Sequence, residues 1–246
     1  MEKKLIAYIT AGYPSPSWSV ELLHRLAEVG VDGVELGIPF SDPVADGPVI
    51  QEVNKRALEN GFRLRDLFAV AEKSRGLPLK RYFMGYFNTF YHRGYKKFAD
   101  EARELGINGF IIPDLPREEA EEYLDLFPLI PFVAPTDSPD RIAKVVEGGK
   151  EFVYLVAYAG ITGADKEEEL SEVIEAVRRA TSLPVYLGFG VKLENIDRKG
   201  RGVDGVVVGT ELVREFLEGE GEWDKVMDRI VEKARLMKEK LRESGE

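Results

Sequence analysis

Two carboxylates, Glu35 and Asp46, belong to one strand-to-helix connection, Glu35-Leu-Gly-Ile-Pro-Phe-Ser-Asp-Pro-Val-Ala-Asp46-Gly-Pro. Val34, Leu36 and Ile38 alternate with Gly33, Glu35 and Gly37, so a strand here sends its apolar side chains to one face and Glu35 to the other. If the apolar face meets covering helices, Glu35 points into a barrel near the carboxyl end of its strand, where barrel enzymes assemble their sites. Without a cationic partner such a carboxyl keeps its proton to unusually high pH, which suits proton transfer. The alternative is a Lys or Arg partner inside the barrel. Asp46, before Gly47-Pro48, either shapes a turn or caps a helix. Taken with Glu35, it instead fits an acid-base carboxyl with a charge-stabilising companion. Asp42 reads as a loop-shaping or interface residue.

Glycines mark a second cluster: Gly160-Ile-Thr-Gly163, Gly188-Phe-Gly190 and Gly209-Thr210. Each alone is compatible with an ordinary turn. Together they follow the last three candidate strands, where backbone N–H groups and a helix start can hold a phosphate in barrels. Thr210 adds a hydroxyl at the start of the segment 211–217, whereas the charge of Glu211 disfavours an anion unless it turns away. Strand alternation also places Tyr8 with Thr10, Met84 with Tyr86 and Asn88, and Phe152 with Tyr154 on common faces. Packing accounts for any one of these aromatics; their convergence suggests a ligand with an aromatic ring at one end and a phosphate at the other.

The elements that must position these residues alternate along the chain. Candidate strands are 5–10, 33–37, 81–85, 109–112, 131–134, 152–156, 185–188 and 205–208, spaced like βα repeats. Between them, apolar stripes predict helices: one capped by Ser17 and stopped by Gly30, one beginning at Pro48 and stopped by Gly61, one from Tyr95 to Gly106, one through Ala120, Tyr123, Leu124 and Phe127, one through Leu170 to Val177, and a long one from Trp223. His24 falls on a helix and His92 in a connecting loop, both read as surface positions. Eight units in one uninterrupted chain predict a single-domain (β/α)8 TIM barrel over residues 1–246, with an open doubly wound sheet as the alternative.

The 246 residues carry 34 Lys and Arg against 44 Asp and Glu, a formal charge of −10. That balance disfavours nucleic acid and anionic membranes as partners. With no cysteine and two histidines, thiolate chemistry is excluded and a metal centre is not expected. Neither a membrane anchor nor a signal peptide is visible, so a cytoplasmic protein is expected. Five Asn and one Gln amid abundant Glu and Lys fit a thermophile.

The block from Glu35 to Pro48 closely resembles the signature of the tryptophan synthase α subunits. The likeness continues through Tyr8-Ile-Thr-Ala-Gly12, Gly85-Tyr-Phe-Asn88, Pro113-Asp-Leu-Pro116, Tyr154 with Gly160-Ile-Thr-Gly163, Gly188-Phe-Gly190 and Gly205-Val-Val-Val-Gly-Thr210. The resemblance implies cleavage of indole-3-glycerol phosphate to indole and glyceraldehyde 3-phosphate. It implies that Glu35 is the acid-base group and that Asp46 stabilises charge at the indole nitrogen. Tyr8, Met84, Tyr86, Ile111, Tyr154 and Phe189 would surround the indole and glycerol, and Gly163, Gly188, Gly190, Gly209 and Thr210 would cradle the phosphate. Thr162 would belong to a loop that closes over substrate and meets Asp46. The resemblance further implies an allosteric α2β2 complex with a β subunit that carries pyridoxal phosphate, this chain holding no cofactor itself. Phe40 to Gly47, Asn88 to Arg93 and Pro113 to Pro116 would face that partner.

Some positions depart from the family pattern. Thr210 stands where Ser is common, and Ala157-Tyr158 where Ser-Arg is common. Little chain precedes the first strand, leaving the barrel bottom less covered, and the short connection 191–204 limits its helix to about two turns. Two other readings share parts of the pattern: a phosphate-binding barrel isomerase or prenyltransferase, which has no need of the Glu35 to Asp46 block, and a non-catalytic activator of a β subunit.

Overall fold

The computed structural model describes residues 2–157 and 164–243. Eight parallel strands, β1 (Lys4–Thr10), β2 (Gly33–Gly37), β3 (Lys80–Met84), β4 (Gly109–Ile111), β5 (Phe132–Val133), β6 (Val153–Val156), β7 (Val185–Gly188) and β8 (Gly205–Val208), run in the order β4-β3-β2-β1-β8-β7-β6-β5. The seam between β4 and β5 is joined by the Phe110 N–H donating to Pro128 O at 2.8 Å and the Ile130 N–H donating to Phe110 O at 3.0 Å. The sheet therefore closes into the expected barrel rather than remaining an open doubly wound sheet. Every strand sits within two residues of its sequence-derived bounds, because alternating apolar residues flanked by turn residues are a strong local signal.

Ten helices surround these strands among the described residues: α1 (Pro16–Glu28), α2 (Pro48–Glu59), α3 (Leu64–Lys73), α4 (Phe87–Arg93), α5 (Tyr95–Glu104), α6 (Pro139–Val146), α7 (Ala164–Ala180), α8 (Ile196–Lys199), α9 (Thr210–Glu218) and α10 (Trp223–Glu243). Three details differ from expectation and a fourth follows it. Ser15, not Ser17, caps α1, its Oγ accepting the Trp18 N–H at 3.2 Å ahead of Pro16. The stripe from Ala120 to Phe127 forms no α-helix; a 3-10 turn, Glu121–Tyr123, carries Ala120 and Phe127 into the core instead. Pro116 and Pro128 bracket that segment and restrict the residues before them away from helical angles. His92 lies in the last turn of α4, where a basic residue suits the helix dipole, rather than in a loop. The helix between β7 and β8 is a single turn, α8, within the two turns that the short connection allows.

The barrel bottom holds an open cavity of about 910 Å³. Its charges pair with one another: Lys4 and the buried Lys238 reach Asp32 at 2.9 and 2.6 Å, Lys80 lies 3.3 Å from Glu151, and Arg242 lies 2.7 Å from Glu2. Asp32 also accepts the Leu5 N–H at 2.9 Å, so this network ties α10 to the first strand. Strand register then sets the opposite, functional end: Tyr8, Glu35 and Tyr82 stand side by side across β1, β2 and β3.

Candidate active site

At the carboxyl end of the strands a cavity of about 340 Å³ is lined by Tyr8, Glu35, Met84, Tyr154, Phe189 and Val207 on its barrel side. Asp46, Val49 and Ile50 close one flank, and Gly190, Lys192, Gly209, Thr210 and Arg214 the other. The aromatic and glycine clusters thus meet in one space. Two strand glycines seat its tyrosines: a Cβ on Gly37 would overlap the Tyr8 hydroxyl, and one on Gly188 would overlap the Tyr154 ring. Tyr154 also stacks on Phe132 at 4.8 Å and meets Phe189 edge-on at 5.9 Å.

Glu35 is 2% exposed, and its Oε1 has no hydrogen-bond partner among the described residues. No Lys or Arg pairs with it among the described residues, which answers the question its sequence position left open. Burial, reinforced by the nearby negative charge of Asp46, pushes its carboxyl up to about 8. Its protonated form is therefore favoured at neutral pH, and among the described residues none pairs with Oε1.

Asp46 has a different environment. The N-cap of α2 is Gly47, so the carboxylate does not cap the helix. Its backbone is fixed instead, the Asp46 N–H donating to Pro43 O at 3.1 Å and the Gln51 side-chain amide donating to Asp46 O at 2.7 Å. The freed Oδ2 accepts the Tyr86 hydroxyl at 2.9 Å. Burial raises Asp46 to about 6, with the Tyr86 hydrogen bond working in the opposite direction. Near neutrality the pair therefore comprises one protonated and one ionised carboxyl, as different environments on one connection allow.

Some expected residues take supporting places. Tyr86 does not line the cavity but grips Asp46 from behind while stacking on Phe40 at 5.3 Å. Ile111 is fully buried on β4, paired in register with Met84. Gly188 is also absent from the lining, and its contribution is the space it leaves for Tyr154. Thr162 and Gly163 lie outside the described residues, as does Tyr158. Glu211 lines the cavity but has the Lys233 ammonium 3.6 Å from its Oε1, which offsets its charge at the start of α9.

The sequence reading missed Ile50, Val207, Lys192 and Arg214. Ile50 and Val207 were legible only as core residues. Lys192 resembles any surface lysine, while Arg214 carried one usable signal: it follows Thr210 by one helical turn and so shares its face. Among the described residues no group of His, Cys, Asp or Glu could hold a metal ion.

The family model for the tryptophan synthase alpha chain matches residues 1–242. A tryptophan synthase alpha chain from Wolinella succinogenes is 43% identical over 245 residues, covering 97% of this chain and 96% of that relative. Among solved structures, the alpha chain from Legionella pneumophila superposes with a TM-score of 0.87 at 31% identity, over 98% of this chain and 92% of the other. An aminoacrylate-bound tryptophan synthase from M. tuberculosis matches with a TM-score of 0.86 at 30% identity, over 98% and 94% of the two chains. With the matched model spanning nearly all of the barrel that frames Glu35 and Asp46, the chain belongs to the tryptophan synthase alpha chain family.

Proposed function

We propose that this chain cleaves indole-3-glycerol phosphate to indole and glyceraldehyde 3-phosphate by a retro-aldol step. The observation that carries the reading is the pair of unlike carboxyls in one ring-sized cavity: Glu35 buried with Oε1 unpartnered, and Asp46 held by Tyr86. Protonated Glu35 gives its proton to indole C3. The positive charge spreads to the ring nitrogen, whose N–H the Asp46 carboxylate accepts. The Glu35 carboxylate then takes the proton from the hydroxyl on the carbon bonded to the ring. The bond from that carbon to C3 breaks, its electron pair restores the indole ring, and the carbon leaves as an aldehyde. Glu35 ends protonated, ready for another turnover. A group raised to about 8 serves both directions of this transfer with a small driving-force penalty.

Tyr8, Met84, Tyr154 and Phe189 would pack the ring, and the loops at Gly190 and Gly209-Thr210 would receive the phosphate. The same reading makes the chain one domain of a cytoplasmic α2β2 tryptophan synthase, with pyridoxal phosphate on the β subunit. No helix among the described residues is long and apolar enough to cross a membrane. Support for a partner at the strand-end face comes from Val44 and Tyr91, the exposed large apolar side chains among the described residues, at 80% and 64% exposure. Both fall in segments expected to face the β subunit.

The test is indole release from indole-3-glycerol phosphate, with and without a β subunit, by the parent and by Glu35→Gln. The expected loss in the variant is about 10²- to 10⁴-fold. Absence of indole from the parent under both conditions would sink the lyase reading and leave the non-catalytic activator.

A further inference from the structure

The single turn α8 and its N-cap residue Asn195 lie outside the cavity, yet they grip the loop that forms one wall. The Lys199 ammonium donates to Phe189 O at 3.1 Å, and the Asn195 side-chain amide donates to Gly190 O at 3.1 Å. Asn195 also accepts the Lys192 N–H through Oδ1 at 2.8 Å, so it holds the loop on both sides of Val191. Phe189 and Gly190 have φ values of +70° and +64°. That conformation is unfavourable for a non-glycine residue such as Phe189 and persists only when the surroundings hold it.

A trans peptide is planar, with its C=O and N–H pointing in opposite directions. Phe189, Gly190, Val191 and Lys192 line the cavity, whereas Asn195 and Lys199 do not. A carbonyl bonded to Asn195 or Lys199 is therefore turned from the cavity, and the N–H of the same peptide is turned toward it. Those N–H groups belong to Gly190 and Val191. Neither has an acceptor among the described residues. Without the two bonds, either peptide could rotate and present a carbonyl oxygen to an incoming anion.

We propose that Asn195 and Lys199 are positioning residues that aim the Gly190 and Val191 N–H groups at the substrate phosphate. This rests on the reading of the cavity as a site for a phosphorylated indole. It also assigns a purpose to the short α8: residues four apart on one turn present both donors to consecutive carbonyls.

The experiment measures binding of indolylpropyl phosphate and of indolylpropanol, which lacks the phosphate, by calorimetry on the full chain. The proteins are the parent, Asn195→Ala, Lys199→Met and Lys199→Arg, each checked for folding by thermal melting. In the parent the ester binds more tightly than the alcohol. Asn195→Ala and Lys199→Met each weaken the ester by about tenfold and leave the alcohol within about twofold, and Lys199→Arg recovers part of the loss. Asn195 is uncharged, so its effect cannot be lost attraction between a cation and the phosphate. Unchanged discrimination between ester and alcohol in Asn195→Ala and Lys199→Met, or equal losses for both ligands, would overturn the proposal alone. Equal affinity of the parent for ester and alcohol would overturn the phosphate reading with it. If one variant does not fold, the other decides between these outcomes.

Discussion

The Tyr86 hydroxyl donates to Asp46 Oδ2 at 2.9 Å while accepting the Ala45 N–H at 3.1 Å, so a single phenol holds both the carboxylate and the backbone that delivers it. Tyr86 is the residue immediately before α4, and Tyr91, exposed on that helix, lies on the expected partner face. A partner that shifts α4 would therefore act on Asp46 through one hydrogen bond.

That bond predicts a pH effect. The proposed mechanism uses Asp46 ionised and Glu35 protonated, so it predicts that the parent rate falls below about 6 and above about 8, as the apparent values of a coupled pair. Tyr86→Phe keeps the ring and removes a donor that favours the Asp46 carboxylate. The acidic limb should move to higher pH, with kcat/KM at neutrality reduced about tenfold. A pH–rate profile whose acidic limb stays in place would show that Tyr86 does not govern Asp46.

Much of this site could be read in the sequence because strands encode direction. The alternation around Glu35 placed it inside the barrel, and the glycine loops at Gly190 and Gly209 pointed to one wall of the same cavity. The role of Asp46 was less legible: only the structure shows that Gly47 takes the cap position and leaves the carboxylate to Tyr86. Asn195 and Lys199 were invisible, since a one-turn helix has no periodicity to detect and their partners are backbone carbonyls, which no side-chain pattern reports. The segment 120–127 misled for the converse reason. Its apolar spacing reflects real burial, while the backbone there forms only a 3-10 turn, Glu121–Tyr123.

The unpartnered Glu35 carboxyl predicts a stability change with pH. Its folded-state value, about 8, lies above the ordinary 4.5, so the folded chain favours the protonated form. The neutral carboxyl costs little below the unfolded value, and stability is lost progressively as pH rises toward and through the folded one. Glu35→Gln removes this ionisation. It should match the parent near pH 4 and exceed it at pH 9 by a few kcal/mol, with a ceiling of about 1.4 kcal/mol for each pH unit between the unfolded and folded values. Urea unfolding of both proteins across this range gives the comparison, and parallel curves would contradict the burial of an unpaired carboxyl.

Lys192 and Arg214 predict a salt effect. Both line the cavity near Gly190 and Thr210, the proposed phosphate end, while remaining exposed to solvent. Their attraction for a dianion is therefore screened by salt, unlike the backbone N–H bonds. The double variant Lys192→Gln, Arg214→Gln should raise KM for the phosphorylated substrate about three- to tenfold at low ionic strength, with kcat little changed. That difference should shrink toward unity near 1 M salt. Steady-state kinetics at several ionic strengths measures it, and a salt-independent ratio would rule out a direct electrostatic contribution.

Arg81 predicts a structural rather than catalytic effect. Its side chain leaves β3 on the helix side of the barrel, where it is 4% exposed. One arm of the guanidinium donates to Ser74 Oγ at 3.1 Å and to Ala71 O, and the other to Leu105 O at 2.9 Å and Gly106 O at 3.2 Å. These acceptors sit at the carboxyl ends of α3 and α5, where unpaired carbonyls and the helix dipoles favour a cation. One side chain thus completes two helices and joins them to the strand that carries Met84. Arg81→Met preserves the length of the stem but strands these buried acceptors. It should destabilise the fold by about 2–4 kcal/mol, measured as a lower urea midpoint. Activity per folded molecule should hold, because Arg81 lies outside the cavity. A midpoint within about 0.5 kcal/mol of the parent would mean that water satisfies these helix ends without the guanidinium.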